Sequence, residues 1–269
     1  MDGYWRKVTS HRLARRRLLT LAAMSAATAA LAACGSGSPS RGSGSKEAAS
    51  LISKPVDETK TARRGGTYKS TLPYDIVNFD PHITEVTSRW PTLWAYSRLA
   101  IAKAGFMQDQ GGEITGDLAE SWEYSPDKLS LTMKLRPDAK FAPLPPVNGR
   151  AVDAQDVMYS WNRFIGMGTE RGKFANSVSP AAPILSISTP DATTVVFKLK
   201  EPTASLLATI ANSNCGNLFI MPRDGDKLDP RRQPLGSGPL YLNEYAASSR
   251  LVYKRTPGYY DKQFPFATR

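Results

Sequence analysis

The sequence has little histidine and little cysteine, with two of each among 269 residues. His11 and His82 stand far apart, and two separate histidines supply neither a histidine-based metal cluster nor an imidazole proton relay. The chain also lacks the G-x-S-x-G, Walker A and G-x-G-x-x-G motifs, and no spacing of Asp and Glu marks a catalytic pair. The sequence therefore predicts that the protein is not an enzyme and that it holds neither a metal nor a cofactor.

The sequence also lacks a long hydrophobic run. Residues 18–33 carry no charge, but they are rich in Ala, Ser and Thr, whereas a membrane-spanning helix needs about 20 predominantly apolar residues. A basic segment that ends in Arg15-Arg16-Arg17 precedes this run. A basic region, a short apolar region and then small residues are typical of an export signal. We expect residues 1–33 to be such a signal, with an uncut N-terminal anchor as the alternative.

The end of this signal carries a more specific pattern. Leu31-Ala32-Ala33-Cys34 resembles the bacterial lipobox, which implies that Cys34 is acylated, becomes the new N-terminus and anchors the protein in the membrane. The alternative is an ordinary secretory signal followed by an accidental cysteine. The arginine run and the leucines after it also resemble a twin-arginine signal, which implies export in the folded state, with the general secretory route as the alternative.

The net charge of +11 depends partly on this signal. Residues 1–33 hold six basic residues and one acidic residue, which leaves 29 basic against 23 acidic residues in the rest of the chain. The remaining basic residues are dispersed, and no stripe of Lys and Arg alternates with aromatic residues. The sequence therefore predicts no nucleic-acid partner.

Composition divides the rest of the chain in two. Residues 34–64 are rich in Gly, Ser, Pro, Lys, Glu and Thr, which is typical of a flexible tether, and residues 65–269 have the composition of a folded body. With Cys34 acylated, only Cys215 remains, so no intrachain disulfide is expected. Cys215 is read first as a small buried thiol and second as a ligand contact.

The folded body mixes strand and helix patterns, which predicts an α/β or α+β fold. Leu131, Met133 and Leu135 alternate with polar residues, as in a half-buried strand. Asp153 is a favourable N-cap for a helix whose apolar stripe includes Trp161. The expected elements are a strand at 66–72, a helix at 90–102, a hairpin of 119–124 with 129–136, a helix from 153 to about 165, a strand at 194–200, a helix at 203–211 and a strand at 218–221.

Several blocks of the sequence occur in an order that closely resembles the extracytoplasmic solute-binding proteins of the oligopeptide and nickel transport family, family 5. They begin with Gly-Asp-Leu-Ala-Glu-Ser-Trp-Glu and end with Thr-Pro-Gly-Tyr-Tyr. The blocks are residues 116–123, 125–127, 133–136, 140–141, 153–157, 159–163, 195–202, 236–240 and 256–260.

This resemblance implies a lipid-anchored, two-lobed protein of the type II periplasmic-binding-protein class. Such a protein closes on a peptide or a similar small solute at the outer face of the membrane and delivers it to an ABC permease with its ATPase subunits. The matched blocks would form the first lobe and, at about 90–187, an accessory subdomain; the second lobe is expected to be absent. The alternative is a truncated remnant that does not transport, or a cell-surface interaction module. Peptides, nickel chelates, oligosaccharides and opines all remain possible ligands.

The resemblance also implies which loops face the ligand cleft and which motif residues belong to the scaffold. Trp122, Trp161 and Leu135 are expected in the core, and Asp156 at a helix start. Gly236 and Gly238 are expected where a side chain would obstruct the backbone. The expected ligand contacts are Thr87, Ser88, Arg89, Trp90, Asn212, Ser213, Cys215 and Ser237.

Overall fold

The computed structural model describes residues 56–57, 60–61, 65–83, 89–103, 112–212 and 217–261. They all belong to one compact unit, Pro55–Arg269. The expected signal, Cys34 and most of the tether lie outside the described residues.

In chain order the elements are helix α1 Arg89–Ala95, strands β1 Ala100–Ala102, β2 Ile114–Gly116, β3 Ala119–Tyr124 and β4 Ser130–Leu135, helix α2 Ala154–Met167, strands β5 Ile184–Asp191 and β6 Thr194–Leu199, helix α3 Leu206–Ala211, and strands β7 Leu240–Ala246 and β8 Arg250–Arg255. Short 3₁₀ helices lie at Arg171–Lys173 and Arg223–Lys227.

The largest sheet of the described residues is antiparallel, with strand order β3-β4-β6-β5. Its hairpin β3-β4 confirms the predicted one, with Trp122 opposite Met133. The alternating pattern of β4 buries Leu131, Met133 and Leu135 on one face. β1 pairs with β2, and β7 pairs with β8, as two smaller antiparallel sheets.

Helix α2 packs on the large sheet and begins as the sequence predicts. Asp153 is its N-cap, and Asp156 completes a capping box by accepting a hydrogen bond from the N-cap backbone amide. Val157, Trp161 and Phe164 form its buried face. Phe164 and Trp161 contact each other, and Trp161 lies edge-on to Phe197 of β6. These aromatic residues lie at the centre of the main core, against which the half-buried Trp122 also packs.

Ion pairs fix the start of α2 to a distant segment. The carboxylate of Asp156 is fully buried and accepts hydrogen bonds from Nη1 and Nη2 of Arg150 at 2.8 and 2.7 Å. Nη2 of Arg150 also contacts Asp224 at 2.6 Å, and the backbone amide of Arg223 donates to Asp156 at 2.9 Å. A buried charge without a partner is costly, so these bonds stabilise the carboxylate of Asp156.

Three predicted elements differ from the structure. Residues 66–72 form no strand and are largely exposed, and they pair with none of the described strands. The predicted helix at 90–102 ends at Ala95, since Ser97 bridges to Ile220 and the amide of Arg98 donates to Asp117. The apolar segment 218–221 is buried, but only its Ile220 makes a bridge, so it is not a strand.

Two predicted helices are present with shifted ends. The helix predicted at 203–211 begins at Leu206 after a turn, and α2 continues to Met167 instead of ending near residue 165. Among the described residues, no helix has the length and apolar character that crossing a membrane requires.

Candidate functional site

The turn at residues 80–82 precedes the loop in which the sequence expected the first ligand contacts, residues 87–90, and a buried polar network holds this turn. The carboxylate of Asp80 is bound by both Nη atoms of Arg163 from α2, at 2.9 and 2.5 Å. It also accepts a hydrogen bond from the amide of His82 at 3.1 Å. A planar guanidinium that binds a carboxylate at two points fixes orientation as well as distance. The turn is therefore attached firmly to α2.

The side chain of His82 connects this turn to a third segment. Its Nδ1 lies 3.0 Å from Nη1 of Arg163, and its Nε2 lies 2.9 Å from the carbonyl oxygen of Phe219. Because a guanidinium can only donate, Nδ1 must accept, and Nε2 must carry the proton that it donates to the carbonyl. Complete burial, followed by the nearby charge of Arg163, lowers the pKa of His82 from 6.5 to about 4, although the bond to Phe219 and the charge of Asp80 oppose the shift. The imidazole is therefore neutral at pH 7.

The loop that contains Ser237 packs against the end of α1, as its glycines require. A Cβ atom on Gly236 would lie 2.3 Å from the carbonyl oxygen of Ala95, and one on Gly238 would lie 2.3 Å from that of Trp94. This confirms the role predicted for both glycines. The backbone oxygen of Ser237 accepts a hydrogen bond from Oγ of Ser97 at 3.2 Å. The buried Oγ of Ser237 has no hydrogen-bond partner among the described residues.

Some of the remaining predicted ligand contacts lie within the described residues and others lie outside them. Asn212 is exposed at the C-terminus of α3, where its carbonyl oxygen accepts a hydrogen bond from Nδ2 of Asn217 at 2.6 Å. Arg89 and Trp90 form the first turn of α1, and their side chains lie outside the description. The others that lie outside the described residues are Thr87, Ser88, Ser213 and Cys215.

Ser97 links the loop of Ser237 to a segment that follows another of the predicted loops. Its Oγ donates to Ser237, and its carbonyl oxygen accepts from the amide of Ile220 at 2.9 Å. Ile220 follows Phe219, which accepts from His82. The turn at 80–82, the segment 217–221 and the loop at 236–238 are thus neighbours.

A cavity of about 470 Å³ opens beside Ser97. This volume is within the range of pockets that hold small molecules, about 300–1,000 Å³. Apolar, aromatic and charged groups share its wall, so it can hold a ligand that is part apolar and part polar. The lining residues are Leu93, Tyr96, Ser97, Arg98, Ile101, Thr115, Gly116, Asp117, Arg136, Pro239, Tyr259, Tyr260 and Asp261.

The floor of this cavity is a buried carboxylate with a fixed geometry. Oδ2 of Asp117 accepts a hydrogen bond from the amide of Arg98 at 2.7 Å, and Oδ1 accepts from the hydroxyl of Tyr260. Burial raises the pKa of Asp117, and the donated hydrogen bonds act against that shift. Burial and the charge of Asp117 likewise raise the pKa of Tyr260, so the phenol keeps its proton and acts as the donor.

Arg136 forms the adjoining wall. Its Nε donates to the carbonyl oxygen of Asp117 at 2.6 Å, and the guanidinium carbon lies 3.8 Å from the centre of the Tyr260 ring. An arginine over an aromatic face gains a cation–π attraction. The side chain is therefore held in one orientation from two directions.

Sequence reasoning did not select the residues of this cavity as site residues. Asp117 and Tyr260 appeared only as parts of the family blocks, and they are 143 positions apart in the chain. No local pattern brings such residues together. Within the described ranges, no group of three or more His, Cys, Asp or Glu side chains is placed to hold a metal ion.

Comparison with known sequences gives a family match and several relatives. The family described as bacterial extracellular solute-binding proteins, family 5 middle, matches residues 113–267. The probable D,D-dipeptide-binding periplasmic protein of Escherichia coli (strain K12) is 31% identical over 193 residues, which cover 69% of this chain and 35% of that protein. Di/tripeptide-binding protein 4 of Pseudomonas aeruginosa is 27% identical over 202 residues, which cover 70% of this chain and 36% of the relative.

Solved structures of binding proteins share the fold. A periplasmic binding protein from A. tumefacien R10, in complex with mannopinic acid, has a TM-score of 0.57 at 29% identity and is matched over 69% of this chain and 36% of its own. A periplasmic binding protein from Helicobacter pylori, in complex with the peptide STSA, has a TM-score of 0.55 at 25% identity, over 68% and 38% of the two chains. The mixed α/β fold of type II periplasmic binding proteins is confirmed. The chain spans little more than a third of the length of these relatives.

Proposed function

The chain belongs to the bacterial extracellular solute-binding proteins of family 5, and from that premise we propose that it serves an ABC importer by capturing peptides or similarly small solutes. The observation that supports this most directly is the family match over residues 113–267. Two relatives are named for binding dipeptides and tripeptides. Family 5 proteins bind solutes, which agrees with the expectation that this chain is not an enzyme.

The proposed mechanism is hinge closure of a two-lobed protein. A ligand that gains contacts only in the closed state shifts the population of open and closed forms by its difference in affinity. The described residues would belong to the first lobe, with an accessory subdomain at about 90–187. Because the chain spans little more than a third of its relatives, capture is proposed for the protein in which this lobe acts together with a second one.

The proposed ligand contacts are those that the sequence placed in the cleft: Thr87, Ser88, Arg89, Trp90, Asn212, Ser213, Cys215 and Ser237. Their support is that Ser97 contacts Ser237 and also Ile220, which follows the loop of residues 212–215 in the chain. The firm attachment of the turn at 80–82 to α2 also supports the proposal, because loops that bind a ligand need a rigid base.

The experiment that tests capture begins with the protein purified from its native membranes. The intact mass is measured first, and the protein is then denatured so that released small molecules can be identified by mass spectrometry. We expect short peptides to be enriched in the wild type and depleted in the double variant Arg89→Ala, Trp90→Ala. The control is Arg232→Ala, because that side chain is 89% exposed.

The outcomes of this experiment separate the two functions. Enriched peptides in the wild type support capture, and equal enrichment in the double variant would remove Arg89 and Trp90 from the site. A wild type that releases no small solute would contradict capture and would favour the cell-surface interaction module.

We also propose that Cys34 carries a lipid that holds the protein at the outer face of the membrane, next to the permease and its ATPase subunits. The lipobox-like sequence Leu31-Ala32-Ala33-Cys34 supports this. Cys34→Ser is expected to move the protein from the membrane to the soluble fraction, and Cys215→Ser, which removes the other cysteine, is expected to leave it in the membrane. Membrane partitioning of Cys34→Ser equal to that of the wild type would contradict the anchor.

A further inference from the structure

The guanidinium of Arg136 has hydrogen-bonding capacity that the described residues do not use. Its Nε is occupied by the carbonyl oxygen of Asp117. Neither Nη atom donates a hydrogen bond to any residue that the structure describes, although Arg136 lines the cavity of about 470 Å³. The donors on these two atoms are coplanar and suit the two oxygens of one carboxylate.

The orientation of this guanidinium is set before any ligand arrives. The Tyr260 ring lies against one of its faces at 3.8 Å, and the bond from Nε fixes its plane. A donor that is already oriented loses little conformational entropy when it binds, so more of the interaction appears as affinity.

The other groups of the cavity wall indicate the chemistry of the rest of the ligand. Arg98 also lines the cavity and adds a second positive charge, although its Nη1 already donates to the carbonyl oxygen of Ala211 at 3.2 Å. Both carboxylate oxygens of Asp117 already accept hydrogen bonds, from Tyr260 and from the amide of Arg98. Asp261 also lines the cavity and opposes an anion, whereas the two arginines attract one. Leu93 and Ile101 supply apolar surface.

We propose that this cavity binds a small organic monocarboxylate with an apolar body, whose carboxylate pairs with the Nη groups of Arg136. The apolar body lies against the aliphatic and tyrosine side chains of the wall. None of the ligand contacts proposed above is among the residues that line this cavity, although Ser97 borders both. It also does not depend on the transport role, because residues 93–261 supply every group that it needs.

The test uses the full chain, with benzoate as the probe and benzamide as its neutral analogue of the same shape, and measures binding by calorimetry. We expect benzoate to bind the wild type about 10-fold more tightly than benzamide does. Arg136→Gln is expected to weaken benzoate binding about 10-fold, and Arg136→Lys to weaken it by a smaller factor, because lysine keeps the charge and loses the planar pair of donors. Arg232→Gln, at an exposed arginine, is the matched control and is expected to bind as the wild type does.

Each result supports or overturns the site. Equal binding of benzoate and benzamide, equal affinity of Arg136→Gln and Arg232→Gln, or no binding of benzoate by the wild type would each refute it. If Arg136→Gln fails to fold, Arg136→Lys takes its place. The site then requires that Arg136→Lys bind benzoate more weakly than Arg232→Gln does. Peptide release from the native protein is a separate measurement, so failure of this site and failure of peptide capture are distinguishable.

Discussion

The neutral, buried His82 makes the stability of the protein sensitive to mildly acidic pH. The pKa of this imidazole is lowered to about 4 from its ordinary value of 6.5, chiefly by burial. Below pH 6.5 the imidazole of His82 takes up a proton in the unfolded chain, whereas in the folded protein it stays neutral until about pH 4. The unfolded state therefore binds more protons in this range, and the free energy of unfolding falls as the pH falls.

The size of this effect follows from the shift. One pKa unit corresponds to about 1.4 kcal/mol, so the contribution of His82 is about 3 kcal/mol, fully present above pH 6.5 and lost by about pH 4. That is a large part of the stability of a typical domain, about 5–15 kcal/mol.

Urea unfolding at several pH values between 7 and 4 measures this loss. Carboxylates also titrate near the lower end, so the wild type is compared with His82→Gln, which keeps a polar side chain and cannot titrate. Arg232→Gln, at an exposed arginine of the folded body, is the control. We expect Arg232→Gln to follow the wild type, and His82→Gln to be less stable at pH 7 but to lose about 3 kcal/mol less on acidification. Parallel pH profiles for His82→Gln and the wild type would refute the reasoning.

Three further predictions use urea unfolding at pH 7. Gly238→Ala should destabilise the protein by about 1–3 kcal/mol, because its Cβ would lie 2.3 Å from a carbonyl oxygen of α1. The control Gly166→Ala, in open space on α2, should stabilise the protein by up to about 1 kcal/mol. Equal effects of the two substitutions would contradict the close packing at Gly238. Asp156→Asn should cost about 3–5 kcal/mol by breaking a buried ion pair, and a change below about 1 kcal/mol would contradict that role. Ser160→Ala should lower the free energy of unfolding by about 1–3 kcal/mol, because Oγ of Ser160 accepts a hydrogen bond from a buried backbone amide at 2.8 Å. The control Ser186→Ala, on the exposed edge strand β5, should change stability by less than about 0.5 kcal/mol. An equal loss in both variants would refute this role of Ser160.

Elements that carry their own local signals could be predicted from the sequence. The hairpin β3-β4 has period-two alternation and a turn, and α2 has Asp153 as its cap, so both are close to their predicted ranges. The predicted helix at 90–102 failed after Ala95 because Ser97 pairs with Ile220, which is a distant partner. Tertiary pairing overrides local propensity in such cases.

The same distinction applies to the site. The crowding at Gly236 and Gly238 was predictable because glycines in a family block indicate close backbone approach. The cavity at Arg136 was not predictable, since its groups come from separate stretches of the chain and none of them carries a local pattern. His82 was read only as an isolated histidine, because its partners Arg163 and Phe219 are distant in sequence.

The joining of Ser97 to Ser237 has a consequence for the synthesis of the protein. The two residues are 140 positions apart, and a ribosome adds about 5–20 residues per second. Ser97 therefore waits about 7–28 s on the ribosome for its partner to be made. During that interval the nascent chain cannot form this contact. Chaperones that act on the emerging chain would therefore meet the segment of Ser97 before its partner loop exists.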